Sequence, residues 1–162
     1  MIRNLKEVGP YLQKIVTRLQ ANQNLLKYLY YTDKTPLEHN DLTSKQIQEE
    51  IFNKLIRVVP RVGPKETAQS LISIRVVRGR QDEANNQIEN LLVAIEVFVP
   101  MTQWIIKDEN LRPFCIMGEI QNSLNGKVID GLGKVHGGDF DANFFTEEIS
   151  CYEMTYTFSL YD

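Results

Sequence analysis

The sequence predicts an α+β fold: an antiparallel sheet of about four strands, with N-terminal helices and one further helix, at about 111–125, packed on the sheet. Three observations carry this. Apolar residues recur at helical spacing through the first third of the chain, the period then changes to two in later runs, and LRPFCIMGEIQNSLNG reads as a helix with a single apolar stripe between two strand-like runs. At 162 residues the chain suits one domain over 1–162. A chain of this length buries roughly 70% of the surface its unfolded form exposes. Its helical part is expected at about 4–58, and its sheet with the packed helix at about 69–162.

In order, Leu5, Val8, Leu12, Ile15, Val16 and Leu19 mark a first helix, with Asn4 as cap and Gly9-Pro10 as an early kink or delayed start. Asn22 is placed to cap a second helix, NQNLLKYLYYTD, whose Tyr28, Tyr30 and Tyr31 exceed what one narrow stripe buries. Thr43 and Gln46 have capping-box spacing, and Ile47, Ile51 and Leu55 give a third, short helix that Pro60 and Gly63-Pro64 close. Ile72, Ile74 and Val76 alternate as in a half-buried strand, and Arg80 to Gln87 is polar enough for a hairpin tip. The return strand, Ile88 to Val99, is apolar on both faces except at Glu96, the pattern of a central strand covered on both sides.

In the organising helix Asn110 is the expected cap, Pro113 fits the first turn, and Asn125-Gly126 is the stop. Ile116, Met117, Ile120 and Leu124 form its stripe. KVIDGLGKVHGGDFDANFF follows, and Gly137 to Glu148 reads as an acidic loop. In the last strand Tyr152, Met154, Tyr156, Phe158 and Leu160 alternate with Cys151, Glu153, Thr155, Thr157 and Ser159.

Net charge is −3, but it is unevenly distributed. From Lys54 to Arg80 there are seven Lys or Arg against Glu66 alone, 7 − 1 = +6; from Asp139 to the end there are six acids and no base, −6. Such blocks pair within a monomer, join copies head to tail, or form two solvated faces. Two cysteines, Cys115 and Cys151, make no disulfide framework and read as buried free thiols. The N-terminus lacks an apolar leader core, and Leu91 to Val99 is too short for a membrane span. A cytosolic, non-membrane product is expected.

Catalytic chemistry finds little support. GLGKVHGG has phosphate-loop glycines but neither GxxxxGK[ST] nor GxGxxG, and it precedes a strand. His136, Asp139 and Asp141 sit in one short loop without a second histidine close by, since His39 is remote. No nucleophile elbow is present, Cys115 has no evident activating base, and Glu147-Glu148 are adjacent on a strand end and point apart. The expectation is no enzyme activity, no cofactor and no metal. RVVRGR and RVVPRV offer arginines to phosphates but no aromatic stacking residues. They read equally as interface arginines.

LRPFCIMGEIQNSLNGKVIDGLGKVHGGDF with the terminal YEMTYTFSLYD resembles the C-terminal half of the tail-terminator, or tail-completion, proteins of long-tailed bacteriophages. The shared pattern is a helix opening LRP, an EI pair inside it, an NGK turn, a GLGK segment and an aromatic-alternating last strand, about a third of the chain. The resemblance implies a structural virion protein of the neck, assembled in the host cytoplasm, that forms a hexameric ring, ends the tail tube and joins it to the head. Its implied partners are further copies of itself, the tail tube protein and a head-connector or stopper protein, with DNA only as passing genome and no membrane. Stopper and adaptor proteins of the neck share this layout. A small nucleic-acid or regulatory module, resting on the basic stretch, is the other class of reading. A ring needs one surface to fit a different surface on the next copy. The expected interface places Arg75, Arg78 and Arg80 against Asp139, Asp141, Glu147 and Glu148 of a neighbour, with Tyr28, Tyr30 and Tyr31 supplying apolar contact.

Overall fold

The computed structural model describes residues 2–58 and 68–160. Its strands are β1 (Ile56–Arg57), β2 (Leu71–Gln81), β3 (Ile88–Pro100), β4 (Val128–Ile129), β5 (Gly133–Phe145) and β6 (Ile149–Ser159). They form one six-stranded sheet in the order β1-β2-β3-β6-β5-β4. Every pairing is antiparallel except β1 with β2, so the sheet is mixed and larger than the antiparallel four-strand sheet expected from sequence. Two of the strands that sequence reading did not place, β1 and β4, have two residues each, too short to carry a period. The loop around RVGPKE, with Pro60 and Gly63-Pro64, lies outside the described residues.

The segment expected to be an acidic loop is in fact the thirteen-residue strand β5. Its alternation is hidden because register shifts between Gly137 and Asp139 and between Ala142 and Phe144 mark β-bulges. Gly137 and Gly138 have φ of 123° and 102°, and a Cβ on Gly137 would stand 2.5 Å from the Thr155 carbonyl oxygen. These glycines let two backbones approach; they are not a phosphate cradle.

The helices are α1 (Val8–Gln20), α2 (Gln23–Tyr30), α3 (Ser44–Gln46) and α4 (Arg112–Leu124). Gly9 and Pro10 fall in the first turn of α1, where the missing proline N–H is harmless. Asn22 caps α2 by accepting from the Leu25 N–H at 3.1 Å. The Thr43–Gln46 capping box forms, but α3 passes after three residues into a π turn over Ile47–Ile51, ending short of Leu55.

In α4 the expected stripe is buried, with Ile116, Ile120 and Leu124 fully enclosed. Asn110 is not its cap. Leu111 holds that position without a side-chain bond, and the first donor is satisfied by backbone, Arg112 N–H to the Trp104 carbonyl at 2.8 Å. Asn125 ends the helix and Gly126, at φ 65°, turns the chain, as expected.

Register assigns the faces of the sheet. Leu91, Val93, Ile95 and Val97 of β3 lie opposite Phe158, Tyr156, Met154 and Tyr152 of β6, and Phe114 of α4 meets Tyr152 with ring centroids 5.3 Å apart. This is the helix-covered face. The opposite face carries Ala94, Glu96 and Phe98 of β3, and no helix among the described residues packs on it. The central strand thus has the expected place, and from Val93 to Pro100 it is buried on both faces as expected, with helices on one of them.

Candidate assembly surface

Across the helix-free face, Ser73, Glu96, Glu153 and Asp141 fall in one row over β2, β3, β6 and β5. Three acids side by side repel unless neutralised. Arg75 offsets two of them, donating from Nε to Glu96 Oε1 at 2.7 Å and from Nη2 to Glu153 Oε2 at 2.6 Å. The bond to Glu96 is the largest of the influences that raise the Arg75 pKa above its ordinary value, and the Glu153 charge adds to it. Glu96 is 5% exposed, so the group that interrupts an otherwise apolar strand is held as a buried ion pair. Beside it the Cys151 thiol is pushed up to about 12, first by burial and then by the Glu96 charge. Cys115, expected to be buried as well, is only half-buried.

The expected interface residues separate into three groups. Arg78 and Arg80 are exposed on the outer half of β2, beside a shallow depression of about 310 Å³ that Asn90, Leu92 and Thr157 complete. Asp139 and Asp141 are exposed on β5, and Glu147 and Glu148 in the turn between β5 and β6 rather than on a strand. Arg75 is already engaged within its own sheet. Tyr28, expected to face a partner, is instead core: it is 8% exposed, and burial with the neighbouring Cys115 raises its hydroxyl to about 12. Tyr30 and Tyr31 are half-buried, meeting edge to face at 5.0 Å, while Tyr31 stacks on His39 at 3.9 Å.

Both long outer strands have a free edge among the described residues. β1 pairs with β2 only at Ile72 and Ser73, leaving 74–81 without a strand on that side. The chain around β4 pairs with β5 only from Gly133 to Val135, leaving 136–145 open. Bordering that second edge on the helix side is an aromatic cluster that sequence reading did not assemble. Tyr152 contacts Trp104, Phe114, Phe140 and Phe145 at centroid distances of 5.3–6.4 Å. Phe114, Phe140 and Phe145 are 41%, 49% and 47% exposed, so the cluster is both a lid on the core and an apolar surface.

Sequence reading also passed over Arg112. Its side chain is fully buried and bonds only to carbonyl oxygens: Nε to Gln103 at 2.9 Å, Nη1 to Tyr28 at 2.7 Å and Tyr31 at 2.8 Å, and Nη2 to Asp33. Tyr28 and Tyr31 lie at the C-terminal end of α2, so the guanidinium caps the negative end of that helix while sitting at the start of α4. Burial lowers its pKa, partly offset by the Asp33 charge. One signal was present. Residues 112, 116, 120 and 124 share a face at i, i+4 spacing, so the arginine continues the apolar stripe.

Among the described residues no three His, Cys, Asp or Glu side chains are gathered as metal ligands, and no helix is long and apolar enough to cross a membrane. No curated protein matches the chain. A family model described as YomW matches residues 22–158, from the α2 cap to the end of the last strand, and so includes both arginine sites and both open edges. The chain belongs to the YomW family.

Proposed function

We propose that this protein is a structural component of a phage particle, forming a ring at the joint between head and tail that terminates the tail tube and connects it to the head. The observation that carries the reading is the pair of sheet edges, open among the described residues and oppositely charged, a basic one on β2 and an acidic one on β5, on a sheet with one face that no described helix covers. A cyclic assembly needs two different surfaces of this kind on each copy. Two further supports are independent of it: a family name borne by a phage-derived protein, and the LRP, EI, NGK and GLGK pattern of tail terminators. The partners in this reading are further copies of the chain in a hexameric ring, a tail tube protein and a connector or stopper protein, with the genome passing through. Its place in the virion is the neck. Stopper or adaptor is the neighbouring assignment. The nucleic-acid alternative has less to stand on, because Arg75 is neutralised within the chain.

Native mass and negative-stain imaging of the purified protein, alone and mixed with purified tail tubes, test the proposal. Ring particles, or caps confined to tube ends, are expected. A protein that stays monomeric at high concentration and leaves tube ends bare would refute it.

A further inference from the structure

Resting on that reading, we propose that copies join by strand addition: the outer half of β2 of one copy pairs antiparallel with the lower half of β5 of the next, extending the sheet from subunit to subunit. Strand direction permits this. Consecutive pairs β2–β3, β3–β6 and β6–β5 are all antiparallel, so the outermost long strands run in opposite directions. A neighbour placed beside β5 in the same orientation therefore presents its β2 antiparallel to it, with both helix layers on one side.

The open segments also match in length and charge. Setting Arg78 opposite Asp141 and Arg80 opposite Asp139 pairs 74–81 of one copy with 138–145 of the other, the two stretches that lack an outer strand among the described residues. All four charges lie on the helix-free face, as directly opposed antiparallel residues must. Ile74 then falls opposite Phe145 on the helix side, at the border of the exposed aromatic cluster. Two-fold alternatives are disfavoured, because β5 against β5 sets aspartates on aspartates and β2 against β2 sets arginines on arginines.

Within one subunit the row through Arg78 reaches β5 at His136, opposite Thr157, whereas Asp141 lies opposite Glu153, so this register displaces each neighbour by four ladder positions, roughly 14 Å, along the strands. A constant stagger of that kind is what a sheet needs to close on itself. The bulges at Val77, Gly138 and Asn143 add local twist and keep the edges from pairing indiscriminately.

Two charge-reversed proteins test the contact, Arg78→Glu with Arg80→Glu, and Asp139→Lys with Asp141→Lys. Each alone places like charges at every joint, and self-association by native mass should weaken roughly tenfold or more. An equimolar mixture should regain assembly, with the two proteins alternating. Backbone hydrogen exchange of the unmodified protein gives a second measurement that needs no variant: assembly should protect amides in 74–81 and 138–145. If the unmodified protein assembles while both variants also assemble, and those amides stay unprotected, the strand contact is refuted and the ring reading stands. If the unmodified protein never assembles, in solution or on tubes, both fall.

Discussion

Two arginines of this chain are held by partners within the fold, Arg112 fully buried and Arg75 with its side chain 30% exposed, and their surroundings differ in kind. Arg112, where α4 starts and α2 ends, is enclosed by neutral carbonyl oxygens of Tyr28, Tyr31, Asp33 and Gln103. Arg75, on the helix-free face, lies between the carboxylates of Glu96 and Glu153. The first arrangement ties three backbone segments together and has no side-chain partner that mutation could adjust. The second is a charge balance between side chains, adjustable from either side. One is therefore a fixed joint of the helical layer, and the other is the means by which an acidic sheet face is kept stable next to open edges.

The largest effect should come from Arg112→Ala. It removes the donor from four carbonyls, with the bonds to Gln103 and Tyr28 buried, at about 1–3 kcal/mol for each group that water cannot reach. Against a total stability of ~5–15 kcal/mol the variant should lose most of its cooperative unfolding transition in urea. Arg112→Lys should recover only a minor part, because an ammonium lacks the planar fork that reaches several acceptors at once. A variant that melts like the parent would show that the carbonyls find other donors.

Arg75→Ala should cost less, roughly 3–5 kcal/mol, the usual loss when one partner of a buried ion pair is removed. The comparison is decided by rescue. Adding Glu96→Gln, which removes the stranded charge, should return a large part of that loss in a double-mutant cycle, with Glu153→Gln contributing less because Glu153 is more exposed. No change at Asp33 should rescue Arg112→Ala, since only its backbone oxygen is bonded. Equal rescue at both sites would erase the distinction.

These sites also show how far the sequence could be read. The α4 stripe, the caps at Asn22 and Thr43, and the central place of β3 follow from spacing over a few residues, and physics at that range is local. Arg112 escaped notice because an arginine on an apolar stripe reads as an interruption, and three of its four acceptors lie about eighty residues away, in the end of α2 and just after it. Glu96 stood out as the one charge in an apolar run, yet its answer, Arg75, depends on a register across three strands that no local pattern encodes. The β5 strand was lost to its own bulges, and with it the knowledge that Asp139 and Asp141 share a face and an edge. Charge segregation was legible; that its two halves occupy opposite edges of one sheet was not.

The smallest expected effect separates the two regions in alkali. Cys151 sits beside Glu96, and its thiol is held up to about 12 by burial and that charge, against an ordinary value near 9. The folded pKa is raised, so the stabilisation is fully present below the unfolded value and is lost as pH rises through about 12. Between these values the unfolded chain has released the proton that the folded chain keeps, which favours unfolding by about 1 kcal/mol at pH 10. Tyr28, beside Arg112, is also raised to about 12 and acts in the same direction. Its unfolded value is near 10, so its share begins roughly one unit higher. Cys151→Ala should therefore flatten the stability profile between about pH 9 and 10 and make the fall above that shallower, leaving there the share that Tyr28 contributes. Urea midpoints across that range, with thiol alkylation of the folded protein as a parallel readout, measure it. A Cys151 that alkylates in the folded protein at pH 8.5 as fast as in urea would show that the helix-free face admits water to its acidic row. The two arginine sites would then differ in hydration as well as in partners.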